Sequence, residues 1–249
     1  MSEPAIRIVA DRASLASSAA ETIRERAEAA IAARGRFALA LSGGSTPLVL
    51  FERWAEDPLT GPPWERTHLF WGDERSVPAS DPESNFGNAQ RAFIGRVPIQ
   101  DANVHPIRIG DGEPADAARR YEVELRSFFG ARPDVWPRFD LVLLGLGGDG
   151  HTASLFPGST ALGDREHLVA SSWVERLQTH RVSLTLPVLN HARCVMFLVA
   201  GADKADILAR VLEGQRAHDP LPAQVVRPKA GELIWLVDRA AAATLQHSD

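Results

Sequence analysis

Apolar residues in this chain gather into short uninterrupted runs, separated by stretches where apolar and charged positions alternate at helical steps. Between Asp11 and Arg34 the apolar positions Leu15, Ala19, Ile23, Ala27, Ala30 and Ile31 recur every three or four residues among Arg and Glu, and Gly35 follows as a stop. This spacing predicts an amphipathic helix with a solvated charged face. Phe37–Leu41 reads as a short buried strand, broken by Ser42-Gly43-Gly44-Ser45-Thr46-Pro47 and followed by a helix through Leu48–Trp54. The same order recurs downstream. His68–Trp71 leads into Gly72-Asp73-Glu74-Arg75, Phe139–Leu144 into a glycine-rich loop, and Val195–Ala200 into Gly201-Ala202-Asp203-Lys204 and a helix ending at Leu212. Arg181–Leu186 predicts a further strand, and Leu233–Val237 a last one that runs into an alanine-rich helix over Arg239–Leu245.

Strands alternating with helices imply an α/β fold with a mainly parallel sheet, covered by helices on both faces and joined by right-handed crossovers. The glycine turns then collect along one sheet edge, at the strands' carboxyl ends, where open α/β sheets bind ligands. No fixed-period repeat is present. The proline-rich patches at Pro58–Pro63 and Pro220–Pro228 read as surface loops, and one domain over residues 1–249 is expected.

Composition narrows the function classes. A formal charge of −5 argues against nucleic acid or an anionic membrane as partner, since both need a basic face. The N-terminal Met1–Arg7 has no apolar signal core and no window reaches the length of a membrane span, so a cytoplasmic protein is expected. The one cysteine, Cys194, sits inside an apolar run and reads as a buried thiol. The eight histidines show no His-x-x-x-His spacing, so neither a metal nor another cofactor is expected.

The chemistry concentrates in Gly145-Leu146-Gly147-Gly148-Asp149-Gly150-His151-Thr152-Ala153-Ser154-Leu155-Phe156-Pro157, which brings an acid and a histidine together on a glycine loop after a buried strand. An imidazole, with an ordinary pKa near 6.5, suits activation of water at neutral pH, and Asp149 or Asp73 is placed to fix its tautomer. At Ser42–Pro47, Thr46 as N-cap with Pro47 at the first helical position would leave backbone N–H groups of Gly43, Gly44 and the first turn facing an anion. This is neither a Walker loop nor a dinucleotide fingerprint. Arg75 at a strand end, Arg181 at a strand start and Lys204 near a helix start are the candidate cations, while Asp73 can orient hydroxyls or a neighbouring base. A Ser-His-Asp hydrolase lacks its Gly-x-Ser-x-Gly turn.

Taken together, Ser42–Pro47, Trp71–Arg75, Ser84-Asn85-Phe86, the His151 loop, Arg181-x-Ser-Leu-Thr and Gly201-x-x-Lys204-Ala205 resemble the 6-phosphogluconolactonase family from about Phe37 to Leu245. The resemblance implies a modified Rossmann-like fold shared with glucosamine-6-phosphate deaminases, and hydrolysis of 6-phospho-D-glucono-1,5-lactone to 6-phosphogluconate in the oxidative pentose phosphate pathway. It further implies His151 as general base, Gly43, Gly44, Ser45 and Thr46 at the phosphate end, and Arg75, Arg181 and Lys204 as cationic contacts. Asp149 and Asp73 are expected to orient either His151 or substrate hydroxyls. The partner is then a small sugar phosphate lactone, and the chain a monomer or weak homodimer. Two alternatives stand beside this. A deaminase would need a glutamate shortly after the histidine, yet no acid follows His151 before Asp164, and Arg75 stands where a tyrosine is expected. A non-catalytic sugar-phosphate sensor would be expected to carry a further module, for which the chain before the first helix leaves no room.

Overall fold

The computed structural model describes residues 3–110, 112–132, 135–215 and 219–246. Met1 and Ser2, and the last residues of the expected 1–249 domain, lie outside them. Among the described residues ten strands form two sheets: β1 (Ala5–Val9), β2 (Phe37–Leu41), β3 (Thr67–Trp71), β4 (Asp73–Arg75), β5 (Val104–His105), β6 (Leu141–Leu144), β7 (Val169–Val174), β8 (Thr179–Leu184), β9 (Cys194–Val199) and β10 (Glu232–Asp238). Seven of them make a parallel sheet in the order β1-β10-β9-β6-β2-β3-β5, and β4-β8-β7 make a small antiparallel one. The helices of eight residues or more are α1 (Arg12–Arg34), α2 (Ser45–Glu56), α3 (Asn85–Ala92), α4 (Pro114–Phe129) and α5 (Ala205–Leu212).

The central strands are the uninterrupted apolar runs. Every residue of β2, β6 and β9 is buried, as a parallel strand covered on both faces requires. Along α1 the Asp11 carboxylate accepts from the Ser14 N–H at 2.8 Å, Gly35 closes the far end at φ 75°, and Leu15, Ala19, Ile23, Ala27 and Ala30 are buried. Trp54 and Trp64 also join the core, while Trp173 is 46% exposed. Burial pushes the Cys194 thiol up to about 11, which leaves it a poor nucleophile. Among the described residues no helix is long and apolar enough to cross a membrane.

Gly72 is where the chain changes sheets. Its N–H donates to the Leu41 carbonyl at 2.9 Å in the large sheet, and its carbonyl accepts from Leu184 at 2.8 Å in the small one. The buried Tyr121 hydroxyl, on α4, accepts from the Trp71 N–H at 2.9 Å and fastens this junction.

Three expectations change. Residues 239–244 form successive turns in place of the alanine-rich helix expected over 239–245, because the Asp238 carboxylate takes the Ala241 N–H at 2.7 Å and closes the chain into a turn there. The Pro220–Pro228 stretch is not a surface loop: Pro222, Ala223, Gln224, Val226 and Pro228 are buried, and Ala223 donates to the Gly150 carbonyl at 3.0 Å. Thr46 lies inside α2, whose N-cap is Gly44 at φ 95° with no side-chain cap.

Candidate active site

The carboxyl ends of β2, β6 and β9 converge on a cavity of about 300 Å³. Its wall brings together Gly43, Gly44, Ser45 and Thr46 from the first glycine turn, Asp73 and Arg75 from β4, Asn85 from the start of α3, the loop around His151, and Lys204. Most of the residues singled out in the sequence therefore meet in one place, although they come from segments up to about 160 positions apart.

His151 is held from three sides. Its Nδ1 lies 2.5 Å from Asp149 Oδ1, its backbone N–H donates to the same oxygen at 3.1 Å, and its ring stacks on Phe156 with centroids 4.2 Å apart. A Cβ on Gly147 would stand 2.0 Å from Nδ1, so only glycine lets the loop pass under the imidazole. With Nδ1 committed to a carboxylate, Nε2 is the nitrogen left for the cavity. The other Asp149 oxygen accepts from Arg176 at 3.2 Å. Burial raises the Asp149 pKa, but the hydrogen bonds from His151 and the charges of His151 and Arg176 outweigh it and hold the carboxyl below its ordinary value. Asp149 is not on the cavity wall; it reaches the site through His151.

Asp73 faces the cavity and does not touch His151. Its carboxylate accepts from Ser154 at 2.6 Å and from Asn85 Nδ2 at 3.3 Å. Asn85 was visible in the sequence only as part of Ser84-Asn85-Phe86. In the fold it is 2% exposed, its Oδ1 has no hydrogen-bond partner, and a Cβ on Gly43 would stand 1.6 Å from that oxygen. Gly43 covers that oxygen, and a residue with a side chain at position 43 would push Asn85 off its place beside Asp73. What sets Asn85 there is Glu74, which is buried and accepts from the backbone N–H groups of Arg75, Asn85 and Phe86 at 2.7, 2.7 and 2.8 Å. Burial raises its pKa, and those three donors oppose the rise.

The cations divide. Arg75 lines the cavity and is braced by the Glu83 carbonyl, and Lys204 lines it while its Nζ rests 3.5 Å from Asp203 Oδ2. Arg181 does not reach the wall. It pairs with Arg75 across the β4–β8 ladder, is 7% exposed, and donates to the His180 carbonyl at 3.2 Å. Burial and the neighbouring Arg75 charge lower its pKa, with Asp73, Glu83 and Glu74 opposing. Among the described residues Asp73 is the only carboxylate on the cavity wall, and no group of three or more His, Cys, Asp or Glu is placed to hold a metal ion. Asp164, the first acid after His151, is turned toward His167 at 2.9 Å.

Comparison with known proteins gives a consistent picture. The family described as glucosamine-6-phosphate isomerases/6-phosphogluconolactonase matches residues 10–235. The chain is 41% identical to a 6-phosphogluconolactonase of Synechocystis, over 98% of this chain and 99% of that one. It is also 41% identical to the human 6-phosphogluconolactonase, over 96% and 93%. The solved structure of a 6-phosphogluconolactonase from Trypanosoma brucei superposes with a TM-score of 0.86 at 30% identity, covering 98% of this chain and 99% of that one.

Proposed function

The chain belongs to the glucosamine-6-phosphate isomerase/6-phosphogluconolactonase family, and from that membership we propose how its residues hydrolyse 6-phospho-D-glucono-1,5-lactone to 6-phospho-D-gluconate. The reaction is the second step of the oxidative pentose phosphate pathway. The observation that carries the mechanism is the His151 ring on the cavity wall with Nδ1 fixed 2.5 Å from Asp149.

The phosphate sits at the glycine turn, where backbone N–H groups at the start of α2 and the charges of Arg75 and Lys204 offset its negative charge. Anchoring that remote group places the lactone carbonyl beside His151. His151 Nε2 takes a proton from water as the water oxygen bonds to the lactone carbon, and the carbonyl electron pair moves onto its oxygen. The tetrahedral species collapses by breaking the bond to the ring oxygen, which receives the proton back from His151. Water is added across one C–O bond, and the product acid ionises. Asp149 keeps the donor-bearing nitrogen turned away from the substrate and stabilises the transient imidazolium. Asp73, held by Ser154 and Asn85, orients ring hydroxyls.

We take the chain as one cytoplasmic catalytic domain, acting as a monomer or weak homodimer on a small-molecule lactone, without nucleic acid, membrane, metal or cofactor. A cavity with one carboxylate supports hydrolysis over deamination, which needs a second acid for ring opening. The test is the loss of the lactone, generated in place from glucose 6-phosphate, above its spontaneous rate, with glucosamine 6-phosphate offered in parallel. Acceleration of the first without consumption of the second is expected; the reverse would overturn the assignment.

A further inference from the structure

The opposite edge of the large sheet carries a second cavity, of about 250 Å³, where α1 ends and before β2, β6 and β9 begin. Arg34, Arg36, Arg138 and Arg193 line it beside Trp136, and Asp140 is the one carboxylate on its wall among the described residues. That carboxylate is already committed. Its Oδ2 accepts from the Ala38 N–H at 2.8 Å and its Oδ1 from Arg34 at 2.8 Å. Arg193 Nε lies 3.3 Å from Oδ1 without making a hydrogen bond. Burial first, and then the charges of Arg34 and Arg138, depress the Arg193 pKa although Asp140 opposes them.

The other two guanidinium groups are fixed by neutral partners. Arg138 donates to the Ala230 carbonyl at 2.6 Å, and Arg36 to the Phe128 carbonyl at 3.0 Å with its guanidinium carbon 4.0 Å from the Phe128 ring centroid. Among the described residues four cations thus face one carboxylate in a concave site: Arg34 and Arg193 share Asp140, while Arg36 and Arg138 rest on neutral carbonyls. Guanidinium forks match phosphate oxygens in pairs, and an arriving dianion relieves the mutual repulsion of the cluster. We propose that this cavity is a second anion site, distinct from the reaction site, which takes a small phosphorylated molecule against the Trp136 wall.

The test is isothermal titration of the whole protein with inorganic pyrophosphate, against chloride at matched ionic strength. Wild type is expected to bind, and Arg138→Gln to bind about tenfold more weakly or worse while hydrolysing lactone at the wild-type rate. Val135→Glu serves as the second variant. Position 135 is on the cavity wall and 43% exposed, so the new carboxylate occupies the site without deleting an arginine contact; binding is lost and the melting temperature does not fall. Pyrophosphate also fits the phosphate end of the reaction cavity, so the titration is repeated on Arg75→Gln, where the second site still binds. Absence of binding beyond chloride in wild type would overturn the proposal. So would binding that vanishes in Arg75→Gln yet is untouched in Arg138→Gln and Val135→Glu.

Discussion

In the proposed mechanism, a single methyl group placed under the His151 ring separates a base held in position from one that is merely nearby. In Gly147→Ala the added Cβ would stand 2.0 Å from His151 Nδ1 and 2.1 Å from Cε1, where side-chain contacts normally begin near 3.4 Å. The ring must retreat by about 1.4 Å or tilt, and either motion breaks the 2.5 Å contact with Asp149. A misplacement of roughly 1 Å can cost about 10²-fold in rate. Gly148→Ala is the control: the Cβ would meet nothing within 4 Å, so the ring stays in place. The assay is lactone loss above the spontaneous rate, with kcat and KM separated. Gly147→Ala is expected to lose about 10²-fold in kcat and Gly148→Ala to change it by less than about threefold, as expected for a methyl that shifts no catalytic group. Equal activity in the two variants would refute the claim that the loop holds His151 by close packing.

Three further outcomes follow from the same geometry. Asp149→Asn removes a hydrogen bond to a charged acceptor, valued at about 1.5–3 kcal/mol, so kcat should fall roughly 10- to 150-fold with KM little changed, because Asp149 is off the cavity wall; a change confined to KM would contradict its positioning role. Arg176→Met withdraws a positive charge from Asp149 and should let the Asp149 carboxyl titrate higher, by no more than about 0.7 pH unit, the range of an exposed ion pair, when followed by its carboxyl carbon NMR shift; Arg176→Lys should restore the titration, and an unmoved carboxyl in the Met variant would count against the coupling. His68 is depressed to about 4 by burial and by the neighbouring charges of His105 and Arg36. The unfolded chain therefore binds more protons between pH 4 and 6.5, and stability should rise with pH across that window, by at most about 1.4 kcal/mol per unit from this group. Denaturant titrations of His68→Phe should show a flatter slope there, and an unchanged slope would reject the assignment.

What was legible in the sequence depended on how local the cause was. Phe37–Leu41 is found at the expected residues because a strand buried on both faces has no polar position to blur it. Gly35 stops α1 by its own conformation. The strand Ala5–Val9 was not predicted: it is mostly exposed and owes its state to pairing with β10, more than two hundred residues away. Helix α4 was also missed, although Ala117, Ala118, Tyr121 and Leu125 form its buried stripe at helical spacing. Pro220–Pro228 was misread because its burial comes from a distant partner, the Gly150 carbonyl of the His151 loop, which composition cannot reveal.

The site shows the same division. The glycine loops and His151 announce themselves, since glycine beside an acid and a histidine at a strand end has few structural reasons to exist. The choice between Asp149 and Asp73 was not legible, because Asp149 is two residues from His151 but need not turn toward its ring, while Asp73, 78 positions away, reaches the site only through the fold. Asp149 takes Nδ1, and Asp73 takes Ser154 and Asn85. Arg181 was placed in the cavity by its charge, but its register opposite Arg75 directs it to backbone carbonyl and hydroxyl partners. Asn85 gained its place from Glu74, whose buried carboxylate organises the start of α3.

The central claim is that His151 Nε2 activates the attacking water while the phosphate end binds independently of it. His151→Ala, compared with wild type for lactone loss above the spontaneous rate and for binding of 6-phosphogluconate, tests it directly. The account predicts a loss of about 10²–10⁴-fold in catalysed rate, the range of a general base, with product affinity retained. A variant that still accelerates hydrolysis to within a few fold of wild type would contradict it.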